Sequence, residues 1–289
     1  MGKSKNGMKL LVYVFLIFIA ILSLIPFLWS IDSSLKTVKY NYAHPLSWRP
    51  KPVAFGNYVK IFTMFSFGKN FTNSLIYAGG KTILTLIICP PAGYAFARKK
   101  FKGRNVIFIL ILSLMMIPSQ VLLIPTFLIL KNFPLVGGNN ILGVGGTGFL
   151  DTYWGLILPT AVTPFNIFLM RQYFLTLPKS IEESARIDGA SEFRIYWQIA
   201  LPLALPALTA ISIFSFQGAW NDFIWPLIVL RSRNLQPLTL GLQVFQDENF
   251  DLWPLLMAAT LVTTAPMLGI FAIFQKYFFR GVSFIGTSK

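Results

Sequence analysis

Four of the ten acidic residues of this 289-residue chain, Glu182, Glu183, Asp188 and Glu192, fall within eleven positions, inside an otherwise apolar and basic half of the sequence. Carboxylates so clustered could do acid–base work, but that needs a companion set of nucleophile, base or orienting groups. None accompanies them. The single histidine is His44 and the single cysteine Cys89, and no serine, cysteine or carboxylate constellation stands out as catalytic. What the cluster offers is electrostatic: a surface to be held. Two further ionisable residues, Lys81 and Asp222, stand inside apolar runs. A charge near the centre of a membrane helix costs roughly 2.5 to 3.5 kcal/mol, so each needs a partner or water. Lys81 can snorkel if its helix begins late. Asp222 either faces a cavity or marks a helix break.

Two nucleotide-like strings fail on context. Gly80-Lys81-Thr82 resembles the end of a phosphate-binding loop, but the full motif needs a glycine five residues before Gly80, where Leu75 stands. Gly143 to Gly148 spells GxGxxG between apolar spans, without the strand and helix of a dinucleotide fold. The lone cysteine excludes an intramolecular disulfide or a cysteine-based metal framework, and no metal ligands are assigned.

The elements that must position these residues are membrane helices. Hydrophobic residues make up 55% of the chain and charged residues 12%, against about 25% charged in ordinary soluble domains. A bilayer crossing takes about 20 apolar residues, and six runs meet that need: Leu10 to Ile31, Phe71 to Ala97, Asn105 to Leu130, Tyr153 to Met170, Leu203 to Leu230 and Pro254 to Phe279. The expected fold is an all-α integral membrane protein, a single domain over residues 1–289. The first run is too long for the core of a signal peptide and is read as a retained span.

The net charge of +15 lies between the runs and reads as orientation and lipid contact, not nucleic acid binding. With the N-terminus inside, fifteen basic residues are inside (Lys3, Lys5 and Lys9; Arg98 to Arg104; Arg171 to Arg194; Lys276, Arg280 and Lys289) and nine outside. Six of those nine share one long loop, which weighs little in orienting a chain. Both termini are therefore placed in the cytoplasm. Outside, Asp32 to Asn70 is expected to be irregular in its first half, with a short surface helix in its second. The glycine-rich Lys131 to Thr152 should be flexible. Prolines 90, 91, 118, 125, 159, 164, 226 and 266 punctuate the spans and predict bent helices with room between them.

The acidic stretch lies in the inner loop Pro178 to Pro206. Pro178 ends the preceding helix. Ser180 and Glu183 have capping-box spacing and predict a helix from Ile181 to Asp188, closed by Gly189 in the left-handed conformation. Ser191 is placed to cap a second helix from Glu192 toward Leu201. Ile181, Ser184, Ala185 and Asp188 share a face at helical spacing. A helix lying on the bilayer should carry basic residues on its polar face, so an acidic helix favours a protein groove.

Glu183-Ser184-Ala185, Gly189, Ile199, Leu201 and Pro202 closely resemble the EAA loop of ABC-importer permeases: EAA, three residues, Gly, nine residues, I, one residue, LP. Ser184 replaces the first alanine. AGYAFARKKFKGR (Ala92 to Arg104), FLMRQYF (Phe168 to Phe174), WNDFIWPL (Trp220 to Leu227) and the tail Gln275 to Lys289 resemble the carbohydrate-uptake permeases of the shorter, six-span kind.

The resemblance implies a permease subunit of a bacterial inner-membrane sugar importer. Its partners would be a second permease subunit, an ATPase dimer and an extracytoplasmic solute-binding protein. ATP and magnesium would sit on the ATPase, with no cofactor or catalytic residue in this chain. Ser180, Glu183, Ser184, Ala185, Asp188, Gly189, Ala190, Ile199, Leu201 and Pro202 would form the ATPase-coupling segment. Trp220, Asn221, Asp222 and Phe223 are candidates for the translocation pathway, where aromatics can stack on a sugar or simply anchor at the interface. The competing reading is an ion- or proton-coupled carrier using Lys81 and Asp222.

Overall fold

Proline removes a backbone donor, yet of the prolines that punctuate the expected spans only Pro118 and Pro164 stand where helices begin after a break; Pro90, Pro91, Pro125, Pro159, Pro226 and Pro266 lie inside helices. The computed structural model describes residues 2–64, 66–243 and 252–285, with side chains over 8–63, 66–243 and 252–274. Lys3, Lys5, Lys276, Arg280 and Lys289, and the tail from Gln275, lie outside the described side chains. Among the described residues the regular structure is entirely helical. Those within 1–68 and 241–266 group as one compact unit, and those within 69–240 and 267–289 as another.

In the first unit, α1 (Gly2–Ser34) is a long apolar helix whose side chains are exposed from Met8 to Leu28 and buried at Asp32, Ser33 and Ser34. The loop beyond it is tied back. Asp32 Oδ2 lies 2.7 Å from Lys36 Nζ, which is fully buried and also donates to the Ser47 carbonyl. Asn57 Nδ2 donates to the carbonyls of Ser34 (2.7 Å) and Lys36 (2.8 Å). The second half of this loop holds the expected short helix, α3 (Gly56–Met64). The first half, expected to be irregular, contains a turn of helix, α2 (Val38–Ala43), capped by Thr37.

The helices that follow are α4 (Phe67–Arg98); α5 (Arg104–Ser113) and α6 (Ser119–Lys131); α7 (Tyr153–Ala161) and α8 (Pro164–Thr176); and α9 (Lys179–Ile187). Then come α10 (Glu192–Ile195), α11 (Leu201–Leu203), α12 (Leu205–Trp220), α13 (Ile224–Val229), α14 (Leu238–Gly241) and α15 (Trp253–Ile285). Met8–Ser34, Phe67–Arg98 and Trp253–Phe274 are each long and apolar enough to cross a membrane. Three helix pairs meet the same test only as bent units, at 108° for α5 with α6, 44° for α7 with α8, and 75° where Glu192–Leu203 meets α12.

The expected span from Asn105 to Leu130 is thus two helices that meet at 108°, a far sharper bend than a proline kink alone requires. The cause is local. Ile117 precedes Pro118 and takes an extended conformation (φ −84, ψ 120), because the proline ring disfavours the α region for the residue before it. The expected span Leu203 to Leu230 is likewise interrupted, at Asn221 to Phe223.

Lipid is as apolar as leucine, so close packing and interhelical hydrogen bonds hold such helices together. Gly93 of α4 meets α8 so closely that a Cβ there would stand 2.6 Å from Met170 Cβ and 2.9 Å from the Arg171 nitrogen. Tyr94, Met170, Phe174, Ala200, Ala204, Ala207 and Ile211 form the core beside that contact. Thr85 Oγ1 donates to the Ala161 carbonyl (2.6 Å), which the break before Pro164 leaves without a helical partner. Asn166 Nδ2 donates to Ser215 Oγ (3.1 Å).

The glycine-rich loop 131–152, expected to be flexible, is pinned instead. Asn139 Nδ2 donates to the carbonyls of Lys131 (2.8 Å) and Phe133 (3.0 Å), and its Oδ1 accepts from Gly146 N (2.7 Å). Asn140 Oδ1 accepts from Leu142 N and Val144 N. The glycines permit close backbone approach, and the asparagines fix it.

Candidate functional site

The acidic loop folds as a helix, a sharp turn and a second helical arm. α9 starts at Lys179 with Pro178 at its cap position, and no side chain caps it. The expected capping box of Ser180 and Glu183 therefore does not form. Proline's fixed φ suits the entry to a helix, so the helix begins earlier and Ser180 falls inside its first turn. Its other end is as the glycine requires: Gly189 has φ +79, Ala190 N donates to Ala185 O (2.9 Å) and Gly189 N to Arg186 O (3.0 Å). These two bonds make a Schellman motif, which satisfies the last carbonyls and turns the chain.

Ser191 Oγ accepts from Arg194 N (3.3 Å) and caps α10. The arm then widens into a π-helical turn over Tyr196–Ala200, closed by Leu201 N donating to Tyr196 O. Pro202 follows. Its ring would press on the carbonyl four residues back in a regular helix, and the wider turn relieves that crowding. Ile199 and Leu201 are half-buried and Pro202 is exposed.

Of the four residues that helical spacing placed on one face, Ile181, Ser184 and Asp188 are exposed and Ala185 is buried. Glu182 (5% exposed) and Ala185 (9%) turn inward, whereas Glu183, Ser184 and Asp188 are exposed. Ala185 thus parts from the three residues with which it shares helical spacing. Glu182 Oε1 lies 3.1 Å from Arg98 Nε at the end of α4, and Glu182 Oε2 accepts from Tyr94 OH (3.3 Å) and Arg186 Nη2 (3.4 Å). Arg98 also donates to the Leu177 carbonyl.

Arg186 Nε donates to Glu192 Oε1 (2.8 Å), and Glu192 pairs with Lys99. Two acidic residues therefore clamp the loop to the end of α4, so half of the cluster is spent internally. Outward, beside Glu183, Ser184 and Asp188, stand Ile187 (86% exposed) and Phe193 (72%). Sequence reasoning passed over both. The signal was an aliphatic residue two places before the turning glycine, and an aromatic two places after the next cap.

The second group lies where α12 breaks. Asp222 Oδ2 accepts from Tyr77 OH (2.7 Å), its Oδ1 accepts from Trp225 N (3.3 Å) at the start of α13, and its carbonyl accepts from Thr239 Oγ1 (2.7 Å). Asp222 therefore both marks the helix break and faces a cavity. That cavity, of about 640 Å³, is bounded by Ser119, Gln120 and Thr126 of α6, Pro159 and Thr160 of α7, and Asn221 to Trp225. Hydroxyls, amides and one carboxylate beside Phe223 and Trp225 can hydrogen-bond a polyhydroxylated solute and pack against its apolar faces.

Trp220 is not at this cavity. It is 5% exposed and stacks on Phe216. Lys81 is half-buried against α12, its Nζ 3.4 Å from where a Cβ on Gly218 would stand, within electrostatic reach of Asp222. No group of three or more metal-ligating side chains occurs among the described residues.

A family model described as "Binding-protein-dependent transport system inner membrane component" matches residues 90–284. The arabinooligosaccharides transport system permease protein AraQ of Bacillus subtilis (strain 168) is 38% identical over 239 residues, covering 82% of this chain and 80% of that protein. The diacetylchitobiose uptake system permease protein NgcG of Streptomyces coelicolor is 31% identical, over 94% and 86% of the two chains. A crystal structure of a bacterial ABC transporter involved in import of the acidic polysaccharide alginate shares the fold, with TM-score 0.80 at 24% identity over 96% of this chain and 99% of that one.

Proposed function

The chain belongs to the family of binding-protein-dependent transport inner-membrane components, and on that premise we propose that it is the permease subunit through which an ATP-driven importer moves a sugar or oligosaccharide. Relatives matched over most of their length carry arabinooligosaccharide and diacetylchitobiose uptake in their names, and this is the observation that supports a carbohydrate cargo. The chain would cross the bacterial cytoplasmic membrane six times, each bent helix pair serving as one span, with both termini in the cytoplasm. It would pair with a second permease subunit. ATP and magnesium would be bound by a separate ATPase dimer, and cargo would be delivered by an extracytoplasmic binding protein.

In this reading Ser180 to Ala190 is the coupling segment. Ile187, Phe193 and the exposed carboxylates Glu183 and Asp188 enter a cleft of the ATPase, as an apolar anchor ringed by polar contacts. The Arg98–Glu182–Arg186–Glu192–Lys99 clamp passes the motion of that helix to α4. Ile199, Leu201 and Pro202 belong to the arm that carries it to α12. The cavity at Asn221, Asp222 and Phe223 lies on the solute's path, with Trp220 packing behind it.

The test is purification of the assembled transporter and its reconstitution into proteoliposomes. Co-isolation of an ATPase, and uptake of a labelled oligosaccharide that needs ATP inside and binding protein outside, is the expected result. Uptake by this chain alone, driven by an ion gradient and abolished by Lys81→Gln, would return the reading to a coupled carrier.

A further inference from the structure

The basic residues at the junction of α4 and α5 divide into two sets. Arg98 and Lys99 are neutralised by Glu182 and Glu192. Lys100, Lys102, Arg104 and Arg171 have no carboxylate within ion-pair distance among the described residues. Two of these four are braced. Arg104 Nη1 donates to the Lys99 carbonyl (3.0 Å) and its Nε to Asn105 Oδ1 (3.3 Å). Arg171 Nε donates to the Phe96 carbonyl (3.3 Å), and its guanidinium lies 4.1 Å from the centre of the buried Phe108 ring. The two guanidiniums are near enough to interact electrostatically. Like charges held together by backbone carbonyls and a ring, with no acid between them, leave an unmet demand for an anion.

A recess of about 410 Å³ opens at this place, bounded by Lys100, Phe101, Gly103, Arg104, Asn105 and Val106. Directly along α5 from the recess, Val106, Ile109 and Leu110 form an exposed aliphatic strip at helical spacing. A cationic recess continuous with an apolar helix face matches a molecule with an anionic head and hydrocarbon tails. A free phosphate would use only the first half of that surface.

We propose that this recess is a binding site for an anionic phospholipid, its phosphate held by Lys100 and Arg104 and its acyl chains laid along Val106, Ile109 and Leu110 of α5. The site rests on the reading of α4 and α5 as membrane helices, and not on the identity of the cargo. Its place is functionally pointed, because Lys99 and Arg98, on the same short connection, hold the clamp on the coupling loop. A lipid seated here would stiffen the segment through which that loop reaches α4.

The experiment uses the assembled transporter, stripped of lipid in neutral detergent and titrated with dioleoyl phosphatidylglycerol, dioleoyl phosphatidylcholine or inorganic phosphate. Bound lipid is read by native mass spectrometry. Phosphatidylglycerol should remain bound, phosphatidylcholine should not, and millimolar phosphate should not displace the lipid. Lys100→Gln, at an exposed side chain with no ion pair, should weaken phosphatidylglycerol retention by about fivefold, and Lys100→Gln with Arg104→Gln by more. Lys60→Gln, in a different loop, should leave retention unchanged. Equal retention of the two lipids, displacement by free phosphate, or Lys100→Gln behaving as wild type would each overturn the assignment. So would retention lost only because the ATPase had dissociated, which the same spectra resolve.

Discussion

Arg98 Nε stands 3.1 Å from Glu182 Oε1 with both side chains almost wholly out of solvent. The two residues are far apart in sequence, one at the end of α4 and the other in the first turn of α9. A buried pair of this kind gives little net stability when complete but is costly to halve, because the remaining charge is left without a partner. Glu182→Ala should destabilise the loop by about 3 kcal/mol, and the double variant with Arg98→Met should recover part of that loss. Thermal unfolding of the four proteins of the double-mutant cycle reads the coupling directly; additive losses would show that the pair does not act as one unit.

Ile187 separates docking from folding. It is 86% exposed, so Ile187→Asp should shift stability by no more than about 0.5 kcal/mol while weakening ATPase retention about tenfold or more, as loss of an interface anchor does. Gly189→Val should also release the ATPase, by a different route: a β-branched residue at φ +79 costs about 1 to 2 kcal/mol and opens the turn. Normal retention in both variants would remove the loop from its assigned role.

Asp222 tests the cavity independently of the loop. Asp222→Asn keeps the shape but weakens the bonds from Tyr77 and Trp225. Hydrogen bonds to a charged group are worth about 1.5 to 3 kcal/mol, so uptake should fall about tenfold or more with ATPase retention unchanged. Loss of uptake together with loss of the ATPase would mean that the substitution acts through folding.

Asn139 should behave as the lock of the glycine-rich loop. Asn139→Ala removes the three hydrogen bonds at its amide. It should open residues 135–145 to protease at concentrations that leave the wild-type chain intact. The local cost is about 2 kcal/mol, too small to unfold the helices. Resistance equal to wild type would show that the loop's backbone holds itself.

Asp151 makes the anchoring of that loop pH-dependent. Desolvation pushes its carboxyl upward, but bonds from Ser232 Oγ, Ser232 N (2.9 Å) and Arg231 N (3.0 Å), with the Arg231 charge, outweigh it and hold the group below its ordinary value. A depressed carboxyl stabilises the fold above its unfolded value of about 3.9, and that contribution fades as pH falls through the folded value. Protection of the Arg231 and Ser232 amides, taken relative to the intrinsic exchange rate at each pH, should therefore be high at neutral pH and fall below about pH 4. Asp151→Asn should flatten the profile.

Several features were legible in the residues alone because they depend on local chemistry. Gly189 must turn, Ser191 must cap, and the apolar runs must become membrane helices; each follows from a few neighbours and the backbone they share. The spacing from Glu183 to Pro202 that resembles the EAA loop was readable for the same reason, since a spacing needs no partner to be seen. Proline positions foretold bends, but not their size. Pro90 and Pro91 sit inside a continuous α4, whereas Pro118 separates helices by 108°.

The sequence by itself determined the membrane class, the helical content and the place of the acidic turn, since composition and short-range sterics decide these. Only the tertiary structure decided which acid does what. Glu182 and Glu183 are neighbours of the same type, and nothing local distinguishes them. The helix starts at Lys179 rather than at Ile181, and it docks on α4, where Glu182 meets Tyr94 and Arg98 in a buried corner. Glu183 is thereby left exposed. The same holds for Asp222, whose bond to Tyr77 joins residues 145 positions apart, a distance over which no sequence periodicity carries information.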